Sequence, residues 1–314
     1  MKSSPDPARQ AVMNPDNLLL IDLDQDLPGQ REFISCWLYR GEDLCYIVDP
    51  GPPATAERLL ARLRRENLAR LDYILLTHVH LDHAGATAQI LAAHPEARVA
   101  CHAGGASHLV DPGHLWQGSR KVLGSMALAY GEPAAVPAAA LVSLDELAGK
   151  GIATLDTPGH AAHHLSFLHA DTLFCGEAAG TFKLLADGRF YLRPATPPRF
   201  FLEPALTSLE KLLAITPAPR RLVFAHHGLA EGLSEVILAA AWQQLTRWVR
   251  LASQESASGA ASLTDLQARI VARLGEEDPH FRLVNHLAPD IQQRELQFVA
   301  NSLAGILGYL DRRN

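Results

Sequence analysis

The chain has 314 residues, of which 48% are hydrophobic and 20% charged, and its net charge is −6. That balance excludes a disordered chain, and this length buries a large core without disulfides. No apolar run approaches the ~20 residues of a membrane span, and an acidic chain without a basic stripe speaks against a general nucleic-acid binder.

Residues 1–17 are polar and contain prolines, with no apolar leader, so the expectation is a loosely ordered N-terminus on a cytoplasmic protein. Apolar runs at Leu18–Ile21, Phe33–Tyr39 and Leu44–Val48 read as strands, and Asp49-Pro50-Gly51 ends the third. Leu59, Leu60 and Leu63 are spaced for a helix over 54–66. The buried run 73–77 reads as a strand, followed by a helix over 84–94, a strand over 98–101 and one helix over 114–130. Strand patterns return at 141–143, 152–157, 164–169 and 172–175, then a helix at 206–215 and a strand at 221–224. Two β-rich stretches, each closed by helices, predict two sheets face to face with helices outside, an αββα sandwich of class α/β. Beyond Gly228 only helical periods remain, at 233–251, 263–274 and 291–310, with 256–261 as a linker and Ser262 as an N-cap. The predicted organisation is a body over 18–232 and a helical subdomain over 233–314. The four cysteines are scattered with no Cys-x-x-Cys pair, and are expected to be reduced.

Of fifteen histidines, eleven lie between His78 and His169. Histidine is the commonest metal ligand, so this clustering points to a site. Its centre is Thr77-His78-Val79-His80-Leu81-Asp82-His83-Ala84-Gly85, at the end of a buried strand. Alternation in the extended part puts His78 and His80 on one side, and Asp82 and His83 turn in from the loop. One short segment thus offers two ligands to each of two adjacent cations.

This segment resembles the metallo-β-lactamase superfamily hallmark, His-x-His-x-Asp-His after a strand. Further stretches match that pattern in order: Thr157-Pro158-Gly159-His160, Leu173-Phe174-Cys175-Gly176-Glu177 and Ala225-His226-His227-Gly228, with Asp49-Pro50-Gly51 as an early loop. The resemblance covers roughly residues 30–230. It implies one metal on His78, His80 and His160, and another on Asp82, His83 and His227, the histidine before glycine. Glu177 stands where most of the family has aspartate, longer by one C–C bond of ~1.5 Å. It either bridges two metals, binds one, or supports a ligand. His164, four residues after His160, follows a glyoxalase II pattern and is expected to support a ligand. His102, His108 and His114 fall in a segment at the expected site edge. His108 is a weak candidate for substrate contact, as are Arg193 and Arg199 of the Pro-rich loop 193–200.

The resemblance implies a metal-dependent hydrolase in which a metal-activated hydroxide attacks an ester, thioester, lactone or related small-molecule bond, with Asp82 orienting the nucleophile. Two Zn²⁺ are expected, one if Glu177 fails to bridge, with iron or manganese as alternatives. The rival readings are an iron-dependent oxidoreductase of the same superfamily, akin to a persulfide dioxygenase or an oxygen reductase, and a nuclease. The expected partner is a small-molecule substrate, with no nucleic acid and no membrane. The C-terminal helices leave a homodimer open.

Overall fold

The computed structural model describes residues 17–68, 70–259 and 262–313. The expectation of a loose N-terminus falls on residues 1–16, outside these, apart from Asn17. In chain order the strands are β1 (Leu18–Asp22), β2 (Ser35–Arg40), β3 (Cys45–Val48), β4 (Tyr73–Leu75), β5 (Arg98–Ala100), β6 (Ile152–Asp156), β7 (Leu165–His169), β8 (Thr172–Gly176), β9 (Thr181–Leu184), β10 (Phe190–Arg193), β11 (Arg221–Phe224) and β12 (Leu229–Glu231). The helices are α1 (Ala56–Arg65), α2 (Leu81–Ala84), α3 (Thr87–Ala93), α4 (Ala103–Val110), α5 (Gly113–Leu123), α6 (Ser125–Tyr130), α7 (Leu144–Ala148), α8 (Leu202–Leu213), α9 (Ser234–Ala257), α10 (Leu263–Glu277) and α11 (Pro289–Arg313).

One sheet has the order β1-β2-β3-β4-β5 and the other β12-β11-β8-β7-β6, with β9 and β10 as a separate hairpin. Side chains of period two sort the strands' residues into layers. On β3, Cys45 and Ile47 face the helices over the first sheet, while Tyr46 and Val48 face the second sheet. On β11, Leu222 and Phe224 face the C-terminal helices and Val223 faces the first sheet. Strands buried on both faces read as continuous apolar runs, which is why these were legible. Trp37 Nε1 donates to the Phe224 carbonyl at 2.9 Å and ties the two sheets together. The core under the second sheet runs without a break from Leu173 into α9, α10 and α11, as far as Tyr309.

Several local expectations change. The helix over 114–130 is two helices, broken at Gly124, whose φ of +58 is a left-handed conformation that ends a helix. The strand at 141–143 is a single bridge, Val99 to Leu141. The linker begins later, because α9 runs on through Ala257. β12 pairs with β11 after Gly228, where only helices were expected. Ser262 does cap α10, its Oγ accepting from the Asp265 N–H at 3.1 Å.

Candidate metal centre

The site lies where the two sheets meet, at the ends of β4, β8 and β11. His78, His80, His160 and Glu177 offer ligand atoms within 4.8 Å of one another, and Asp82, His83 and His226 do the same. The carboxylate of Glu177 stands between the sets. Its Oε2 is 2.9 Å from His160 Nε2, 3.3 Å from His78 Nε2 and 3.4 Å from His83 Nε2. Its Oε1 is 3.3 Å from His226 Nε2.

Most of the imidazoles are oriented by a bond on the nitrogen that faces away. Thr77 Oγ1 donates to Asp49 Oδ2 at 2.7 Å and stands 3.0 Å from His78 Nδ1. A hydroxyl that donates to a carboxylate accepts from the imidazole, so the His78 proton is on Nδ1 and Nε2 is free. Asp49 Oδ2 also lies 3.4 Å from His83 Nδ1, and the Ala195 carbonyl is 3.1 Å from His160 Nδ1. The early Asp49-Pro50-Gly51 loop therefore works by orienting ligands. His164 does the same for Glu177: its Nε2 accepts the Glu177 backbone N–H at 3.0 Å, and its Nδ1 meets Thr157 Oγ1 at 2.8 Å. Gly176, at φ +58, has room for no side chain here, because a Cβ would come 2.4 Å from His164 Nε2.

These residues fit a bound cation. His78 Nε2 and His83 Nε2 are buried and have no hydrogen-bond partner. An orphaned buried nitrogen is costly unless a ligand satisfies it. Burial pushes the His78 imidazole well down and takes His80 to about 3, so both are neutral, the form that binds metal. His83 differs: burial lowers it, but Asp82, Asp49 and Glu177 more than reverse this. Three carboxylates around one imidazole call for positive charge at that point. Burial pushes Glu177 up, but His160 and His226 hold it well below the usual carboxylate range.

One expected ligand is corrected. His227 does not join the second set. Its φ of +31 places it in the turn between β11 and β12, and its Nδ1 pairs with Asp22 Oδ1 at 2.7 Å. The neighbouring His226 points inward instead, with Nε2 3.8 Å from Asp82 Oδ2. His226 still bridges the backbone of Ile34, and the positive φ of His227 then turns the chain away, so only one of the pair enters the site. Arg193 is also corrected: it is buried and bound to Glu295 at 2.9 Å, so it is not offered to a substrate. Arg199 is exposed. His108 lies at the rim on α4, its ring 6.4 Å from that of His163, which is 6.1 Å from that of His80. His102 caps α4, accepting from the Gly104 N–H at 2.9 Å, and His114 is exposed.

The sequence matches the model of the metallo-beta-lactamase superfamily over residues 29–226. The chain belongs to the metallo-beta-lactamase superfamily. A hydroxyacylglutathione hydrolase of Cupriavidus taiwanensis is 35% identical over 196 residues, which are 60% of this chain and 61% of that protein. The chain thus spans under two thirds of that relative's length. The crystal structure of an archaeal superfamily protein from Sulfolobus tokodaii superposes with a TM-score of 0.57 at 26% identity, over 72% of this chain and 85% of that one. A metallo-beta-lactamase family protein from Thermus thermophilus superposes with a TM-score of 0.61 over 95% of this chain and 94% of that one. At 19% identity that likeness concerns the fold alone, and it takes in the C-terminal helices. The superfamily membership and the His, Asp and Glu cluster make this a metallo-hydrolase-like protein with a metal-binding site. Among the described residues, no helix is long and apolar enough to cross a membrane.

Proposed function

We propose that this protein hydrolyses small-molecule acyl bonds, thioesters first and then esters and lactones, with two zinc ions held by the two donor sets. The carrying observation is the Glu177 carboxylate between two imidazole sets, each of which turns an unpartnered nitrogen toward it, Nε2 of His78 and Nε2 of His83. One ion would be held by His78, His80, His160 and Glu177, the other by Asp82, His83, His226 and Glu177. Bound there, a divalent cation supplies a Lewis acid and brings the pKa of a water toward ~7.

The chain's own groups do the rest. Burial raises the Asp82 carboxyl, but His83 and His226 hold it well below the ordinary range, so it is an acceptor at neutral pH. Its side chain is 19% exposed, the most open of the carboxylates in the site, so it meets the water that enters. It would accept a hydrogen bond from that water and aim its oxygen at the acyl carbon. Glu177 is nearly closed to solvent, with 7% of its side chain exposed, and balances charge rather than moving protons. The hydroxyacylglutathione hydrolase relative supports the thioester choice. The buried, unpaired thiols suit a reducing cytoplasm, and the acidic surface suits a small-molecule substrate over nucleic acid.

The test is elemental analysis of protein purified without added metal, together with a panel of acyl-glutathione thioesters, aryl esters and lactones. Two zinc per chain and thioester turnover that is lost in His80→Ala is the expected result. Iron with a redox-active absorption band, or full turnover in His80→Ala, overturns the reading.

A further inference from the structure

His78, His83 and His160 each have a partner for the nitrogen that faces away from the cluster, whereas His226 Nδ1 is buried with no partner among the described residues. Something else has to orient that ring. Phe33 stacks on it with centroids 4.1 Å apart and planes 7° from parallel. The guanidinium of Arg294 stands 4.4 Å from the Phe33 ring centroid, and Phe298 packs at 5.0 Å. Both belong to α11. Arg294 also donates to the carbonyls of Gly29 and Arg31 at 2.7 and 2.9 Å, and Arg31 grips Asp290 at 2.8 and 2.9 Å. The loop that carries Phe33 is therefore clamped to α11 along its length.

The same helix reaches the other donor set. His160 is oriented by the Ala195 carbonyl. On the N-terminal side of that residue, Arg193 Nη1 and Ser302 Oγ both donate to the Pro194 carbonyl, at 3.2 and 2.8 Å. On its other side, Thr196 Oγ1 donates to the Ser302 carbonyl at 2.8 Å. One carboxylate joins the two arms. Glu295 Oε2 accepts from Arg193 Nε at 2.9 Å and from the Tyr191 hydroxyl at 3.0 Å, while its Oε1 accepts from Arg294 Nε and Nη2 at 3.1 and 3.0 Å.

We propose that α11 is a splint for the metal centre, in which Glu295 is a positioning residue for both sets: through Arg294 and Phe33 it fixes His226, and through Arg193 and the 194–196 strap it fixes His160. This rests on the metal reading above. An outer group that fixes a ligand changes metal affinity about 10–100-fold, so each arm has its own signature.

The full chain is loaded with Zn²⁺ and titrated against a chromophoric chelator to give two dissociation constants, and Co²⁺ absorption is recorded alongside. Phe33→Leu keeps an apolar side chain but removes the flat face, and it should weaken one site about 10-fold or more and leave the other. It should add nothing to a His226→Ala background, as expected for residues that act through one contact. Arg193→Lys keeps the charge and should weaken the other site alone. Glu295→Gln should weaken both and shift the Co²⁺ bands. Leu274→Ala, in the core of α10, lowers the melting temperature and should move neither constant. If Glu295→Gln fails to fold, Phe33→Leu and Arg193→Lys carry the test. Both constants within twofold of wild type in Phe33→Leu, or the same losses in Leu274→Ala, overturn this inference alone. A wild-type chain that takes up no metal overturns the metal reading and this inference with it.

Discussion

Glu177→Asp restores the residue that most of the family carries, and it should damage this protein. The Glu177 oxygens reach four imidazoles at 2.9 to 3.4 Å. Removing one methylene withdraws the carboxylate by ~1.5 Å, so these distances become about 4.5 Å, past the ~4 Å of a charge pair. The backbone cannot advance to compensate. The Glu177 N–H is bonded to His164 at 3.0 Å, and the Cα of Gly176 is packed so closely that a Cβ would lie 2.4 Å from the same imidazole. The residue is glutamate because this strand end is held back. Losing a shared ligand should exceed the effect of losing an outer partner, so metal affinity should fall at least ~100-fold at the weaker site, about 2.7 kcal/mol. Zinc stoichiometry by chelator competition, with thioester turnover beside it, reads this. Two zinc bound by Glu177→Asp within threefold of wild-type affinity would refute the reasoning.

Three further outcomes follow from the same geometry. His226→Ala should remove one metal equivalent and nearly all turnover, whereas His227→Ala should keep both metals, because His227 pairs with Asp22 outside the cluster; elemental analysis of the two variants decides it. Burial pushes the Glu295 carboxyl up, and Arg193 and Arg294 more than reverse it, leaving it below 4.5. With a depressed folded value, the unfolded chain takes the proton first, so this contribution is full above about pH 4.5 and is lost as pH falls through the folded value. Melting temperature measured from pH 6 to 3 should therefore fall less steeply in Glu295→Gln than in wild type, and equal slopes would refute it. The four cysteines are all buried, and burial pushes Cys45 and Cys101 to about 11 and Cys36 well up. A thiol reagent at pH 8 should find no fast-reacting group in the native chain and four after denaturation.

Local features of this protein were legible in its residues alone. His78, His80, Asp82 and His83 lie within six residues at a strand end, so chain geometry brings them together, and the strands buried on both faces announce themselves as apolar runs. The short elements were less legible. The β9–β10 hairpin has only four residues a side, and α4 carries Gly104 and Gly105, which are poor helix formers, in its first turn. Which way a side chain faces once a turn intervenes was settled by the folded arrangement. His226 and His227 are chemically identical neighbours, and the left-handed φ of His227 assigns one to the cluster and the other to Asp22. Arg193 has the composition of a substrate clamp, yet Glu295, 102 residues away, draws it into the core. Contacts at such separation depend on how the outer helices pack, and no local pattern encodes that.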